Sequence, residues 1–259
     1  MKTPFSVART ALSLAISVAA LSACGGGGDN ALPPIDIAGA WVGDETASGG
    51  ASGLMLSVGD TAYGFEVVGT TVRYFKGSAY SSDGVNYTFG TSRYDETATG
   101  GATATATATA TVSGQLMGKF IDGSSPRRLF VTYAAANNNF FPMRMDTPPA
   151  NVVTVADLRD FNGSFPLPAG SLTLAAGSTS AATLSGTGVN GCSVSGTLSL
   201  PRADRNVWAV RLNQSACTDA TRNGIATNGL AMLYKSGATL NVVLIGEDGR
   251  AWTLVSSSR

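Results

Sequence analysis

Histidine is absent from all 259 residues, and this sets the first limit on the chemistry available to the other side chains. Without imidazole, a serine or cysteine nucleophile lacks its usual base, and zinc lacks its commonest protein ligand. The four lysines, Lys2, Lys76, Lys119 and Lys235, are not preceded three positions earlier by serine, so the Ser-x-x-Lys arrangement of acyl-transfer enzymes is missing as well. No Gly-x-Ser-x-Gly elbow, phosphate-binding loop or EF-hand spacing occurs. Carboxylates remain. The four glutamates are Glu45, Glu66, Glu96 and Glu247, and Asp44-Glu45, Asp95-Glu96 and Glu247-Asp248 form doublets. Glycoside cleavage needs two carboxyl groups converging from separate elements, whereas neighbours on a strand point to opposite faces. The doublets are expected to be solvated turn residues. The chain is read as a non-enzyme with no cofactor and no bound metal; a carboxylate-dependent glycan enzyme is the remotest alternative.

The three cysteines are Cys24, Cys192 and Cys217. Before the first of them come Lys2 and Arg9, then an apolar run from Ala11 to Leu21. The run is about half the roughly 20 residues that a bilayer-crossing helix requires, so residues 1–23 read as a cleaved signal peptide. Leu21-Ser22-Ala23-Cys24 resembles the lipobox of bacterial lipoproteins. The resemblance implies cleavage before Cys24, a diacylglycerylated thiol and an acylated new N-terminus. Gly25 to Gly28 and Asp29-Asn30 follow as a flexible tether, so residues 24–35 are the anchored linker. Because Gly25 rather than an aspartate follows the cysteine, the resemblance implies the outer membrane, facing the periplasm. In an exported chain the remaining even pair, Cys192 and Cys217, is expected to form a disulfide. Their spacing is not Cys-x-x-Cys, and no histidine is present to lower a thiol pKa.

The elements that would position these groups read as strands. Charged residues make up only 13% of the chain, about half the usual share. Removing residues 1–23 takes Lys2 and Arg9 from the 17 basic residues and none of the 17 acidic ones, leaving a slight acidic excess. No basic field exists to attract nucleic acid. Period-2 alternation with glycine punctuation runs throughout. Val85, Tyr87 and Phe89 follow Asp83-Gly84, and Trp252 and Leu254 follow Asp248-Gly249; Asp-Gly between such runs predicts hairpins. One helical turn is expected over Thr154 to Arg159, with Thr154 and Asp157 as a capping pair. Ala102 to Thr111 repeats Ala-Thr five times; as a strand this puts all threonines on one face, and it reads as an edge strand or loop.

Four blocks recur in order. Asp36-Ile37-Ala38-Gly39-Ala40-Trp41 matches Asp160-Phe161-Asn162-Gly163-Ser164-Phe165, and Gly53 to Gly59 matches Gly170 to Gly177. Gly77 to Tyr80 with Val85 to Phe89 matches Gly196 to Ser199 with Val207 to Val210. Gly114 to Met117 with Arg128 to Tyr133 matches Gly229 to Met232 with Leu240 to Ile245. The fold expected is therefore all-β: two tandem small antiparallel barrels or sandwiches, at 36–145 and 155–259, joined by a linker at 146–154.

Trp41, Trp208 and Trp252, with Tyr74, Tyr80 and Tyr87, are expected in the core more than on a ligand face. Arg127-Arg128 and Arg202 with Arg205 read as surface charge that could meet anionic headgroups or polysaccharide. Gly39-Ala40-Trp41 is similar to the Gly-x-Trp of lipocalins over those three residues only. Across most of the mature chain, the lipobox, glycine tether, repeated Gly-small-aromatic openings and the Gly191 to Leu198 segment with its later Cys217 resemble uncharacterised exported lipoproteins of proteobacteria. That grouping carries no activity. The functional expectation is a membrane-anchored, non-catalytic binding or structural component of the envelope, with a protein or polysaccharide partner; the first alternative is a lipocalin-like carrier of an apolar ligand.

Overall fold

A computed structural model describes residues 32–43, 52–68, 71–98, 106–107, 110–121, 127–135 and 140–259. Cys24, its lipobox and the glycine tether lie outside the described residues, as do Asp44-Glu45 and most of the Ala-Thr repeat. Eight strands build the first body: β1 (Gly39–Gly43), β2 (Ser52–Val58), β3 (Thr61–Val68), β4 (Thr71–Ser82), β5 (Asn86–Ala98), β7 (Ala110–Ile121), β8 (Arg128–Ala135) and β9 (Phe140–Asp146). They run antiparallel in chain order and close into a barrel through Val42↔Asp146 and Gly43↔Met145. Side chains from alternate positions fill its lumen, among them Trp41, Met55, Phe75, Phe89, Leu116, Val131 and Tyr133. The rings fit because glycines face them: a Cβ on Gly64 would sit 2.1 Å from the ring of Phe75, its cross-strand partner.

The second body repeats the plan with β10 (Gly163–Leu167), β11 (Gly170–Ala176), β12 (Ala181–Val189), β13 (Cys192–Ser199), β14 (Trp208–Ser215), β15 (Ala226–Ser236), β16 (Thr239–Glu247) and β17 (Ala251–Ser258). All four repeated blocks fall on strands of the same ordinal position. The register agrees as well: Trp41 pairs with Met55, two residues after Gly53, and Phe165 with Leu172, two after Gly170. Gly39 (φ 142°) and Gly163 (φ 132°) share a left-handed backbone that side chains disfavour, which accounts for the conserved-looking step into each first strand. The fold is thus all-β, in two tandem antiparallel bodies.

The second sheet curls until β10 and β17 lie side by side, but no ladder joins them. Two local causes are visible. Pro166 on β10 has no N–H to contribute, and its carbonyl accepts instead from Ser257 Oγ at 2.6 Å. At the other end of β17, a two-residue strand β6 (Ala106–Thr107), part of the Ala-Thr repeat, takes the free edge through Trp252↔Ala106 and Ala251↔Thr107. This described piece of the repeat is an edge strand.

Between the bodies the expected turn at 154–159 is replaced by two. A helical turn α1 (Ala150–Val153) ends at Thr154, whose hydroxyl donates back to the Ala150 carbonyl at 2.7 Å. A 3-10 turn over Leu158–Phe161 begins where Asp157 accepts from the Arg159 amide. Thr154 therefore closes one turn and Asp157 opens another, because each side chain bonds its own neighbour and not the other's turn.

Candidate functional site

Strands β2, β3 and β4 are apolar on both faces, as are β15 to β17, and the second faces meet. Leu54, Leu56, Tyr63, Val72 and Tyr74 of the barrel pack against Leu230, Met232, Ile245, Trp252 and Leu254 of the second sheet. Trp252, fully buried, stacks on Tyr74 at 5.3 Å between ring centroids and meets Tyr63 edge-on at 6.4 Å. Burial of this kind contributes about 1.5–3 kcal/mol per large side chain. Pro33 to Arg259 consequently form one compact unit.

Polar groups ring this seam. Lys76 Nζ donates to Glu247 Oε1 at 2.7 Å, joining β4 to β16. Burial pulls the Lys76 ammonium pKa down, but the bond to Glu247 and the neighbouring Tyr63 outweigh it and leave the value raised. On another edge Asp36 accepts from Arg202 and Arg205, each at 2.9 Å, and both arginines also hold Asp204, at 2.8 and 2.9 Å. Arg205 Nε further donates to the Ala38 carbonyl at 2.9 Å. Burial pushes the Asp36 carboxyl up, yet the Ala38 amide and the two guanidinium groups carry it below the ordinary aspartate value. Asn206, almost wholly buried, donates to the carbonyls of Val152 (2.6 Å) and Leu233 (2.7 Å) and accepts from Trp208 Nε1 (2.9 Å). It pins the linker to the second body.

One end of the second body is closed by a different device. Cys192 at the start of β13 and Cys217 after β14 form a disulfide across 25 residues. Beside it lies Gln214, whose amide donates to Thr227 and to Asp248, both at 2.7 Å. Asp248 Oδ2 also accepts from Arg222 at 2.7 Å, with side-chain exposures of 0% and 5% for the acid and the base. Burial pushes the Asp248 carboxyl up, but Gln214, the Ala251 amide and Arg222 bring it below the ordinary range. Arg222 also donates to the Asn190 carbonyl, and Asn190 reaches Trp252 O (2.9 Å) and Thr253 Oγ1 (2.7 Å). The cap is therefore bonded through to the seam strand.

The Glu247-Asp248 doublet divides between two sites. Glu247 faces Lys76 at the seam, while Asp248 pairs with Arg222 in the cap, so the expectation of a solvated pair fails at both: their side chains are 11% and 0% exposed. Asp95-Glu96 lies on β5, its backbone opposite Tyr74 and Arg73. Glu66 bonds Arg73 at 3.5 Å, and burial raises its pKa despite that partner. Among the described residues, no three of His, Cys, Asp and Glu gather as a metal site.

The tryptophans are all core: Trp41 in the lumen edge-on to Phe120, Trp208 in the second body, Trp252 in the seam. Arg202 and Arg205 are surface charges, as expected, each paired with Asp36 and Asp204. Arg127 stacks on the Phe120 ring at 4.7 Å, and Arg128 lies 3.5 Å from Asp146. A cleft of about 430 Å³ opens where the linker meets both bodies, lined by Ala38, Trp41, Arg127, Pro148, Arg205 and Asn206 among others. Sequence reasoning missed Asp36, Asn206 and Arg222 as organising residues. The two-sided apolar runs Leu54-Met55-Leu56 and Trp252 to Val255 were the signal that something covers the outer faces.

No family model, no curated protein and no solved structure matches the chain.

Proposed function

We propose that this protein is a lipid-anchored component of the bacterial envelope whose paired β-bodies bind or scaffold neighbouring envelope material and catalyse no reaction. The observation that carries the non-catalytic part is the way its acids are engaged. Asp36 and Asp204 are held by two arginines, Glu247 by Lys76, Asp248 by Arg222 and Glu66 by Arg73. A glycosidase needs one carboxyl with a raised pKa facing a second across open space. Asp36, Asp204 and Asp248 are all shifted down, and Glu66, shifted up, is paired with a base. Against a lipocalin-like carrier stands the lumen of the first barrel, which is occupied by its own aromatic side chains. The anchored part rests on Leu21-Ser22-Ala23-Cys24 and the glycine tether. Among the described residues no helix is long and apolar enough to cross a membrane.

Replacing Cys24 tests the reading as a whole. C24A is expected to move the protein from the membrane to the soluble fraction of cells while the purified body keeps its strand signal by circular dichroism. Unchanged membrane partitioning of C24A, or hydrolysis of envelope polysaccharide by the purified protein, would overturn it.

A further inference from the structure

The residues of the first barrel that pack against the second body come from β1 to β4; β5, β7, β8 and β9 complete its wall. Leu129, Val131, Met143 and Met145 point into the lumen, so their neighbours on β8 and β9 point out. The ladder registers place Asn86, Lys119, Phe130 and Arg144 in one row across these four strands, a span of about 15 Å at the usual strand spacing. Lys119 is exposed, and Phe130 keeps 41% of its surface open between its two cationic cross-strand neighbours. Arg128, two residues before Phe130 on the same face, adds a third cation. Among the described residues of this face the acid is Asp146, which lies 3.5 Å from Arg128 and 3.8 Å from Arg144, one carboxylate beside three cations.

The position of the row decides what it faces. It sits at the barrel end where β4 turns into β5, and Val85 in that turn is 38% exposed. Asp83, the acid in the turn, is directed onto its own hairpin, accepting from the Val85 and Asn86 amides. The chain that comes from Cys24 arrives at this same end. The Ile35 amide donates to Ser82 Oγ at 3.2 Å, and its carbonyl accepts from Tyr80. Eleven residues separate Cys24 from Ile35, which limits their distance to about 40 Å even when fully extended.

We infer that the Lys119–Phe130–Arg144 row, with Arg128 and Val85, docks this end of the barrel onto an anionic phospholipid surface. The inference rests on the anchored reading above, since the tether brings that end to the bilayer. Cations near a negatively charged leaflet gain from its surface potential, and an aromatic ring among them settles at the headgroup level.

Residues 33–259 hold every described strand and all three apolar clusters, so this lipid-free piece is the one to test. Co-sedimentation with phosphatidylglycerol-containing vesicles should exceed that with pure phosphatidylcholine vesicles by about tenfold and fall with added salt. F130S combined with K119E should lose most of the binding at an unchanged melting temperature, while K235E, the same charge reversal on the second body, should not. Absence of vesicle binding by the parent, equal binding to both vesicle types, parent-like binding by F130S/K119E, or capture by an anionic polysaccharide in preference to vesicles would overturn the inference. Because the piece lacks Cys24, these results are independent of lipidation, which the mass of the mature N-terminus reads separately.

Discussion

In the first body, Trp41, Phe75, Tyr87, Phe89 and Tyr133 fill a barrel whose ladder closes on itself. In the second, leucines and valines with Trp208 fill a sheet that stops short of closure and is finished by a disulfide and a buried Arg222–Asp248 pair. Both start from one strand plan, so the difference shows two ways of completing it. A closed ladder leaves no strand edge to protect. An open one leaves edges, and here Ser257 bridges β17 to Pro166 on β10 and the added strand β6 covers part of β17, while Cys192–Cys217 ties the neighbouring strands β13 and β14 at one end. The seam then joins the two solutions into one unit.

The largest effect is expected from W252A, which removes the side chain that stacks on Tyr74. Such truncations cost about 3–5 kcal/mol. Equilibrium unfolding in urea should change from one transition to two as the bodies uncouple; a single transition at undiminished midpoint would mean that the seam is not what unites them.

Next is D248N, which leaves Arg222 buried without its counter-charge, a change that costs about 3–5 kcal/mol in comparable pairs. The loss should appear in a probe of the second body such as Trp208 fluorescence. Acid should discriminate between the bodies in the same way. The folded-state pKa of Asp248 is lowered, so its contribution is complete above the ordinary aspartate value and disappears as pH falls through the folded one. Glu66 in the first barrel is shifted up; its folded form holds the proton more tightly, so falling pH favours the barrel. In W252A, where the seam no longer couples the bodies, the second body should therefore lose its fluorescence signal at a higher pH than the first. The reverse order would contradict the assignment.

Removing the disulfide with C192S and C217S should cost about 3 kcal/mol by the loop-entropy relation, read in the W252A background as a loss confined to the transition of the second body. Equal loss in both would indicate that the cap supports the seam as well, through Asn190. Least affected should be D36N. Its cluster with Arg202, Arg205 and Asp204 is open to solvent, and exposed ion pairs contribute about 1 kcal/mol or less; a small drop in the melting temperature is the expected reading.

Much of the plan was legible because local rules act on neighbours. Asp83-Gly84 and Asp248-Gly249 both turn hairpins, with Gly84 at φ 90° and Gly249 at φ 84°, since a tight turn needs the backbone that glycine allows. The repeated openings were readable as Ile37-x-Gly39 and Phe161-x-Gly163 because each buries one side chain immediately before a left-handed glycine. The seam was not readable. Alternation states that Met55 and Leu56 face opposite ways, but not that one meets the lumen and the other a second sheet. Asp36 and Arg205 are 169 residues apart, and no local pattern links them. Asp248 looked like a solvated turn acid because its partner, Arg222, comes from a separate loop. Thr154 and Asp157 misled for a related reason: each capping side chain serves its own short turn.

The proposed anchoring of both bodies on a lipid at Cys24 is tested most directly by the mass of the N-terminal peptide of the mature protein recovered from cell membranes. The expected result is a chain that starts at Cys24 and carries the added mass of a diacylglyceryl thioether and an N-acyl group. A mature chain with a free Cys24 thiol, or one that begins at another residue, would contradict it.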